Sequence, residues 1–537
     1  MDTEQPESAP REAEDGGGAA GRYTRGTLLK GAAVAGGAAL GVPTLLGASY
    51  GSSTAGAGTA KRGGKLRVAM VGGGATETLD PNAAVPNIDS ARASNLFDRL
   101  VHVKPDGTLS MDLAESMEPN KDATQWTVRL REGVVWHDGS PFGPQDVMYT
   151  LRRMGAPKSA LFGANVAAMI DLKAMRKRDK RTLVLPLKLP SAEFPQLFQP
   201  PQMQIVKNGA TNFKSPIGTG PFQFVSFRPG QNSVFKRNEH YWRNGRPYVD
   251  ELDILSIPDA QTRLNALLTG QVDAVEYVPY PQAEQQMKSG KVTILDAKGS
   301  SMVPIYMATD LDPFKDVRVR QAMRLIADRP ALVEAAQSGF GVVGNDVFGY
   351  RQPEYNSHLP QRKQDIDKAK SLLKAAGKSD LRITLYSSTV APGMLESATA
   401  FSQQAKAAGV TIKVDNGPTS SYFGPKYLKQ NFAQTQWPAF ALYSWYQQAM
   451  APNAPFNETH WNDAKWSKLY NQAQATVDDA KRKELNFELQ RILWDRGGYL
   501  IWGFYPLLDG VAKNVQGAVA NPNNVLSNFS FQDFWLA

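Results

Sequence analysis

The chain has no cysteine and only 5 histidines in 537 residues. Without cysteine there is no disulfide, no thiolate metal site, no cysteine nucleophile and no lipid anchor on an N-terminal cysteine. So few histidines leave little room for a multi-histidine metal centre. Long hydrophobic runs are also scarce. The one apolar stretch near the N-terminus, 31–48, is broken by Gly36, Gly37, Gly41 and Pro43 and is poor in large side chains. It makes a weak membrane span, and no later segment is long and apolar enough to cross a bilayer. The whole chain is 42% apolar and 21% charged, enough for a sizeable core and too much for global disorder. The length suggests three or four domains. The net charge of +9 is not concentrated. Its densest basic run, 173–181, lies between apolar segments and reads as a solvated hairpin turn. No nucleic-acid partner is expected.

Residues 1–21 are polar and Gly-rich and read as disordered. A basic stretch (Arg22, Arg25), the apolar segment and a small-residue tract, 49–60, follow in the order of an export signal. Thr24-Arg25-Gly26-Thr27-Leu28-Leu29-Lys30 resembles a twin-arginine signal with Gly26 in place of the second arginine. Ala55-Gly56-Ala57 is the expected cleavage site. Residues 1–60 are thus assigned to a disordered N-terminus plus signal, and the mature chain to the periplasm or the extracellular space.

Beyond it, alternation predicts strands at 65–70 and 126–130, and a short strand at 134–136 before an Asp138-Gly139 turn. A helix is expected to include 95–100. Pro144 and Asp146 open another helix, proline and carboxylate both suiting its positive end. Strands at 222–225, 248–257 and 272–277 flank a helix at 262–269 that stops at Gly270. The second half alternates strand and helix. Ile366, Ala369, Leu373 and Ala376 share a helical face closed by Gly377, and 381–385, 394–408 and 410–414 read strand, helix, strand. A late helix begins near Asp478 and a strand at 499–502 follows it. This order argues for an α/β protein with parallel sheets.

The motifs that punctuate these elements are collinear with one known family. They are Gly63-Gly64-Lys65-Leu66, Leu79-Asp80-Pro81, Leu96-Phe97-Asp98-Arg99-Leu100 and Leu113-Ala114-Glu115-Ser116. The block from Trp126 to Arg153 contains Leu130-Arg131-Glu132-Gly133-Val134 and His137-Asp138-Gly139-Ser140-Pro141. Gly218-Thr219-Gly220-Pro221-Phe222, Asn238-Glu239-His240-Tyr241-Trp242, the stretch from Ala266 to Asp273, Asp316 to Ala322 and Ala369 to Gly377 complete the set. Together they resemble the extracytoplasmic solute-binding proteins of ABC importers in the dipeptide/oligopeptide-binding family, solute-binding protein family 5. The resemblance implies a two-lobed periplasmic-binding-protein fold of the class II type with an extra third domain on the first lobe. Lobe I would comprise 64–107, 217–307 and 503–537, the extra domain 108–216 and lobe II 308–502. The hinge would cross near Tyr306-Met307-Ala308 and Trp502-Gly503-Phe504. The partners implied are a small-molecule, oligopeptide or oligosaccharide ligand and a membrane permease with its ATPase subunits. The protein would be a monomer without cofactor or bound metal, and not an enzyme.

In peptide-binding relatives a tryptophan is followed three positions later by an aspartate that pairs with the ligand's ammonium group. The matching stretch here is Tyr443-Ser444-Trp445-Tyr446-Gln447-Gln448, with Gln448 in the aspartate's place. An amide accepts a hydrogen bond from an ammonium but does not neutralise it. The expected ligand therefore lacks a free ammonium at this point: a blocked peptide, an oligosaccharide or an opine-like compound. Val85 and Asn87 match a loop that touches ligand in relatives, and Trp502 lies beside the hinge. The expected ligand contacts are thus Val85, Asn87, Tyr443, Ser444, Trp445, Tyr446, Gln448 and Trp502. The alternative from another class is a secreted hydrolase using His137 and Asp138. No Gly-x-Ser-x-Gly elbow accompanies them. Gly72-Gly73-Gly74 lacks the Gly-Lys-Ser/Thr of a phosphate loop.

Overall fold

The computed structural model describes residues 60–299, 301–419, 421–424 and 427–537. The expected export signal and cleavage site lie outside the described residues.

Two mixed sheets form the two lobes. The first has seven strands in the order Val292–Lys298, Pro506–Ala512, Ala274–Val275, Lys65–Met70, Glu251–Ser256, Asn232–Arg237 and Phe222–Arg228. Lys65–Met70 is parallel to both of its neighbours. The second has five strands in the order Thr411–Gly417, Arg382–Ser388, Phe432–Gln434, Ile305–Met307 and Tyr499–Leu500. Its first three run parallel. Strand Ile305–Met307, placed by the sequence reading at the end of the first lobe, is hydrogen-bonded inside this second sheet. The chain therefore crosses between sheets before residue 305 and again between 500 and 506. A four-stranded antiparallel sheet (Ala114–Pro119, Gln125–Leu130, Thr182–Pro186, Arg176–Lys177) builds the extra domain. The basic run forms the hairpin between its last two strands, Arg176–Lys177 and Thr182–Pro186.

Several elements differ from expectation, for identifiable reasons. The helix near residue 95 is Asn87–Leu96 and ends before Phe97. Asp98 leaves the helix because its carboxylate accepts from the Thr219 and Tyr241 hydroxyls and the Trp242 indole. Residues 134–136 form no regular strand. Val135 makes only an isolated bridge to Pro141, and Gly139 turns the chain at φ 81°. The 272–277 strand shortens to Ala274–Val275, which frees Glu276 and Tyr277 at its end.

One apolar core runs from Leu66, Val68 and Ile254 of the first sheet through Val303, Ile305 and Trp502 to Leu385 and Phe432 of the second. Another joins Trp126, Val128 and Phe194 of the extra domain to Trp445, Tyr446 and Trp466 of the second lobe. Among the described residues no helix is long and apolar enough to cross a membrane.

Candidate functional site

Open sheets with parallel strands bind ligands beyond the carboxyl ends of those strands, where helix starts and loops converge. In the first lobe these ends deliver residues 71–87 and 276–280, and in the second 389–393 and 435–441. The crossing segments, 301–304 and 501–505, lie between them. Contacts join the crossing segments to the second-lobe edge. Met302 and Trp437 pair through their backbones, the Ala439 N–H donates to Ser301 Oγ, and Gln436 Nε2 donates to the Tyr505 hydroxyl at 3.1 Å. Tyr280 of the first lobe stacks on Phe340 of the second, with centroids 5.9 Å apart and planes 19° apart.

Apart from Glu77 and Asp80, which are paired with Arg92 and Arg153, the groups at these edges are neutral and polar or aromatic. The carboxylates nearby are buried behind them. Glu276 accepts from the Val71 N–H and from Asn87 Nδ2. Burial pushes its carboxyl up to about 7, against the pull of those two donors and Arg263. Asp509 receives the Tyr277 and Leu526 N–H groups. It too is raised to about 7 by burial, with the charge of Glu276 adding to the rise. Glu458 is fully buried and accepts from Thr435 Oγ1 at 2.6 Å, Trp437 Nε1 at 3.1 Å and the Tyr427 and Tyr499 hydroxyls. Burial raises its carboxyl and the four donors oppose that rise. Glu458 thereby fixes residues 435–437 at the lobe edge.

The expected contact residues fall into separate groups. Val85 stands in solvent, 77% exposed, on the loop before helix Asn87–Leu96. Asn87 opens that helix and bonds Glu276 and the Tyr277 hydroxyl. Trp502 is fully buried and donates its indole N–H to the Val303 carbonyl, so it braces the crossing. Tyr443, Ser444, Trp445, Tyr446 and Gln448 share helix Leu442–Ala449 of the second lobe. Trp445 is 1% exposed and stacks on Phe348 at 4.6 Å and 9°. Trp437 and Tyr499 pack around it. Tyr443 pairs with Ser191 Oγ of the extra domain at 3.1 Å, and Ser444 is 9% exposed. Gln448 is half-buried near the helix end, its carbonyl accepting from Phe456. Among the described residues no hydrogen bond or ring contact joins this helix to Asn87. Trp437, not Trp445, stands where the strand Phe432–Gln434 delivers the chain to the crossing. Three positions after it comes Phe440, so neither tryptophan is followed by an acid.

Sequence reasoning did not single out Glu276, Tyr277, Gln436, Tyr505 and Asp509. A signal existed: Glu276 and Asp509 are acids inside otherwise apolar strand-end sequences. His137 and Asp138 do not form a catalytic pair. His137 Nδ1 accepts from the Gly218 N–H and Nε2 donates to the Gly220 carbonyl. Burial lowers the ring to about 4. Asp138 faces Lys207 and Ser140, which hold it down to about 2. His137 fastens the turn to the glycine segment, and Asp138 braces the turn itself. Among the described residues no cluster of three or more metal-binding side chains occurs.

Residues 108–467 match the family described as Bacterial extracellular solute-binding proteins, family 5 Middle. The glutathione-binding protein GsiB of Pectobacterium atrosepticum is 27% identical over 494 residues, covering 87% of this chain and 93% of its own. Among solved structures, the periplasmic binding protein DppA of Helicobacter pylori in complex with the peptide STSA superposes with a TM-score of 0.73 at 20% identity, covering 89% of this chain and 98% of its own. AgaA from A. tumefaciens R10 in complex with agropinic acid gives a TM-score of 0.72 at 24% identity, with 88% and 99% covered. The chain thus belongs to the bacterial extracellular solute-binding proteins of family 5, the solute-binding components of ABC importers.

Proposed function

We propose that the chain captures a small polar solute between its two lobes, outside the cytoplasm, and passes it to a membrane permease driven by a separate ATPase. The solute is a peptide derivative, an oligosaccharide or an opine-like compound without a free ammonium group beside Trp437 and Trp445. One observation carries this reading. Neutral groups (Asn87, Tyr277, Gln436, Phe440, Tyr505) occupy the strand ends of both lobes, while the carboxylates behind them are used up by protein donors. An ammonium buried there would lack the carboxylate it needs. Amides and hydroxyls suit carbonyls and hydroxyls, and aromatic faces suit the apolar faces of a ligand. Among the structural neighbours, AgaA is in complex with agropinic acid, a small polar solute.

The proposed moving bodies are lobe I with the extra domain, 64–304 and 506–537, against lobe II, 305–500. Ligand contacts to both bodies favour the closed form by differential affinity. The protein performs no chemistry on its cargo.

Thermal unfolding of the full chain against free peptides, blocked peptides, oligosaccharides and opine-like compounds tests this. A ligand at about 100 times its Kd adds about 2.7 kcal/mol. Stabilisation by blocked or sugar-like compounds is expected. Stabilisation by free-amine peptides alone would overturn the proposed ligand class.

A further inference from the structure

The two N–H bonds of the Asn87 amide are both spent inside the protein. Nδ2 donates to Glu276 Oε2 at 2.9 Å and to the Tyr277 hydroxyl at 3.1 Å. Its Oδ1 accepts no hydrogen bond among the described residues, and the residue is only half-buried at the cleft edge. An asparagine amide has two orientations, and its network decides between them. Here the decision is one-sided. Above about pH 7, where Glu276 is ionised, flipping the amide would set Oδ1 against a carboxylate that has no proton to give. Glu276 is itself immobile: fully buried, directly after strand Ala274–Val275, with its other oxygen on the Val71 N–H. Tyr277 is held as firmly. It adopts φ 52°, a left-handed conformation unfavourable for a bulky side chain, and its N–H is fastened to Asp509 Oδ1 at 3.2 Å. Because the Tyr277 oxygen accepts from Asn87, its own proton is left to donate.

We propose that Glu276 is a positioning residue that locks Asn87 with its amide oxygen towards the cleft, so that the ligand group received there is an N–H or O–H donor and not an anion. This rests on the cleft reading above and adds to it the polarity of one subsite. Asn87 Oδ1 and the Tyr277 O–H form a neighbouring acceptor and donor, a match for an amide or a hydroxyl. A carboxylate or phosphate would meet the amide oxygen with two buried carboxylates behind it.

The lock has a titratable part. The groups facing Glu276 are the Val71 N–H, Asn87, Tyr277, Asp509 and Arg263, whose guanidinium bonds the Glu276 backbone carbonyl. Burial places the carboxyl near 7. Once protonated it can donate to Oδ1 and release the amide to turn. Affinity for a donor ligand therefore falls as pH drops through about 7.

Two measurements test the proposal. In the full chain with isotope-labelled asparagine, the Asn87 side-chain N–H signals should be protected from solvent and should titrate with a midpoint near 7. Glu276→Gln should abolish that titration while the remaining asparagine signals stay in place. Unprotected Asn87 protons, or the same titration in the variant, would overturn the lock without reference to any ligand. The second measurement takes a blocked peptide amide or oligosaccharide that stabilises the full chain and titrates it into wild type and Glu276→Gln. Binding about tenfold weaker in the variant is expected, with loss of its pH dependence. Glu276→Asp, which keeps an ionisable carboxyl, should restore the titration in part. Equal affinity in Glu276→Gln, or binding no weaker when a carboxylate replaces the ligand's amide or hydroxyl donor, would overturn the donor assignment. If no compound stabilises the chain, the cleft reading fails while the first measurement still decides the lock.

Discussion

The extra domain touches the second lobe directly, and this contact makes a quantitative prediction. Glu193, at the start of the turn Phe194–Phe198, forms an ion pair with Arg482 of helix Asp479–Arg496. The two side chains are only 8% and 10% exposed. Beside the pair, the Ala192 N–H donates to the Gln474 carbonyl at 2.8 Å, and Tyr443 meets Ser191. If the lobes open about the crossing segments, these contacts break and both charges return to water. Glu193→Gln then penalises the closed form only. Breaking a buried pair costs about 3–5 kcal/mol. Arg482 keeps Asp479 and two carbonyls of its own lobe, so the lower figure applies. About 3 kcal/mol corresponds to roughly 100-fold weaker apparent ligand affinity when the unliganded protein is mainly open. Calorimetric titration reads the affinity, and small-angle scattering of the unliganded protein reads the opening. An unchanged Kd together with an unchanged radius of gyration would refute the reasoning: the contact would then not open with the cleft.

Two further outcomes follow from buried carboxylates. Glu458→Ala strands four donors at once and should cost about 3–5 kcal/mol of stability in urea unfolding; a loss below about 1 kcal/mol would mean that those donors find other partners. The pH dependence has a definite sign. Glu276 and Asp509 titrate near 7 when folded, well above their unfolded values, so the folded state holds more protons and stability falls as pH rises through 7. His137, lowered to about 4, acts in the opposite direction but only below its unfolded value near 6.5. Between about pH 6.5 and about pH 8 the unfolding free energy should therefore drop by on the order of 1–2 kcal/mol. A rise over that window would contradict the burial of the two acids.

The scaffold was legible because local constraints write themselves into residue type. Asp259, Asp316, Asp328, Asp365, Asp463 and Asp478 each cap a helix start with a side-chain oxygen. In Gly218-Thr219-Gly220, a Cβ on Gly218 would lie 1.7 Å from the Leu96 carbonyl oxygen, and one on Gly220 2.5 Å from the Leu96 carbonyl carbon. Only glycine lets that segment pass the helix end, and such necessity survives as a motif. The site carries no comparable necessity. Its edges come from segments near 71–87, 276–280, 301, 436–440 and 505, and sequence distance says nothing about their meeting. The aromatic density around Trp445 is ambiguous for a physical reason: rings that pack a core and rings that line a pocket have the same composition. Phe348, over 90 residues away, is what buries Trp445.

The placement of charge at the lobe edges has a common logic. Glu276, Asp509 and Glu458 never face the cleft, and each spends its oxygens on holding a neutral group or a loop that does. A binding protein must present its site to water when open and dry it when closed. Exposed carboxylates would have to shed tightly held water on every closure, a cost that only a cationic ligand could offset. Neutral amides and hydroxyls shed theirs more cheaply, but left alone they would reorient freely. Buried carboxylates remove that freedom, and their own desolvation is settled once, during folding. The cleft thereby gains fixed polarity without fixed charge. Selectivity in such a site resides in which way an amide points, a property that one buried acid controls and that no inventory of cleft-facing residues would display.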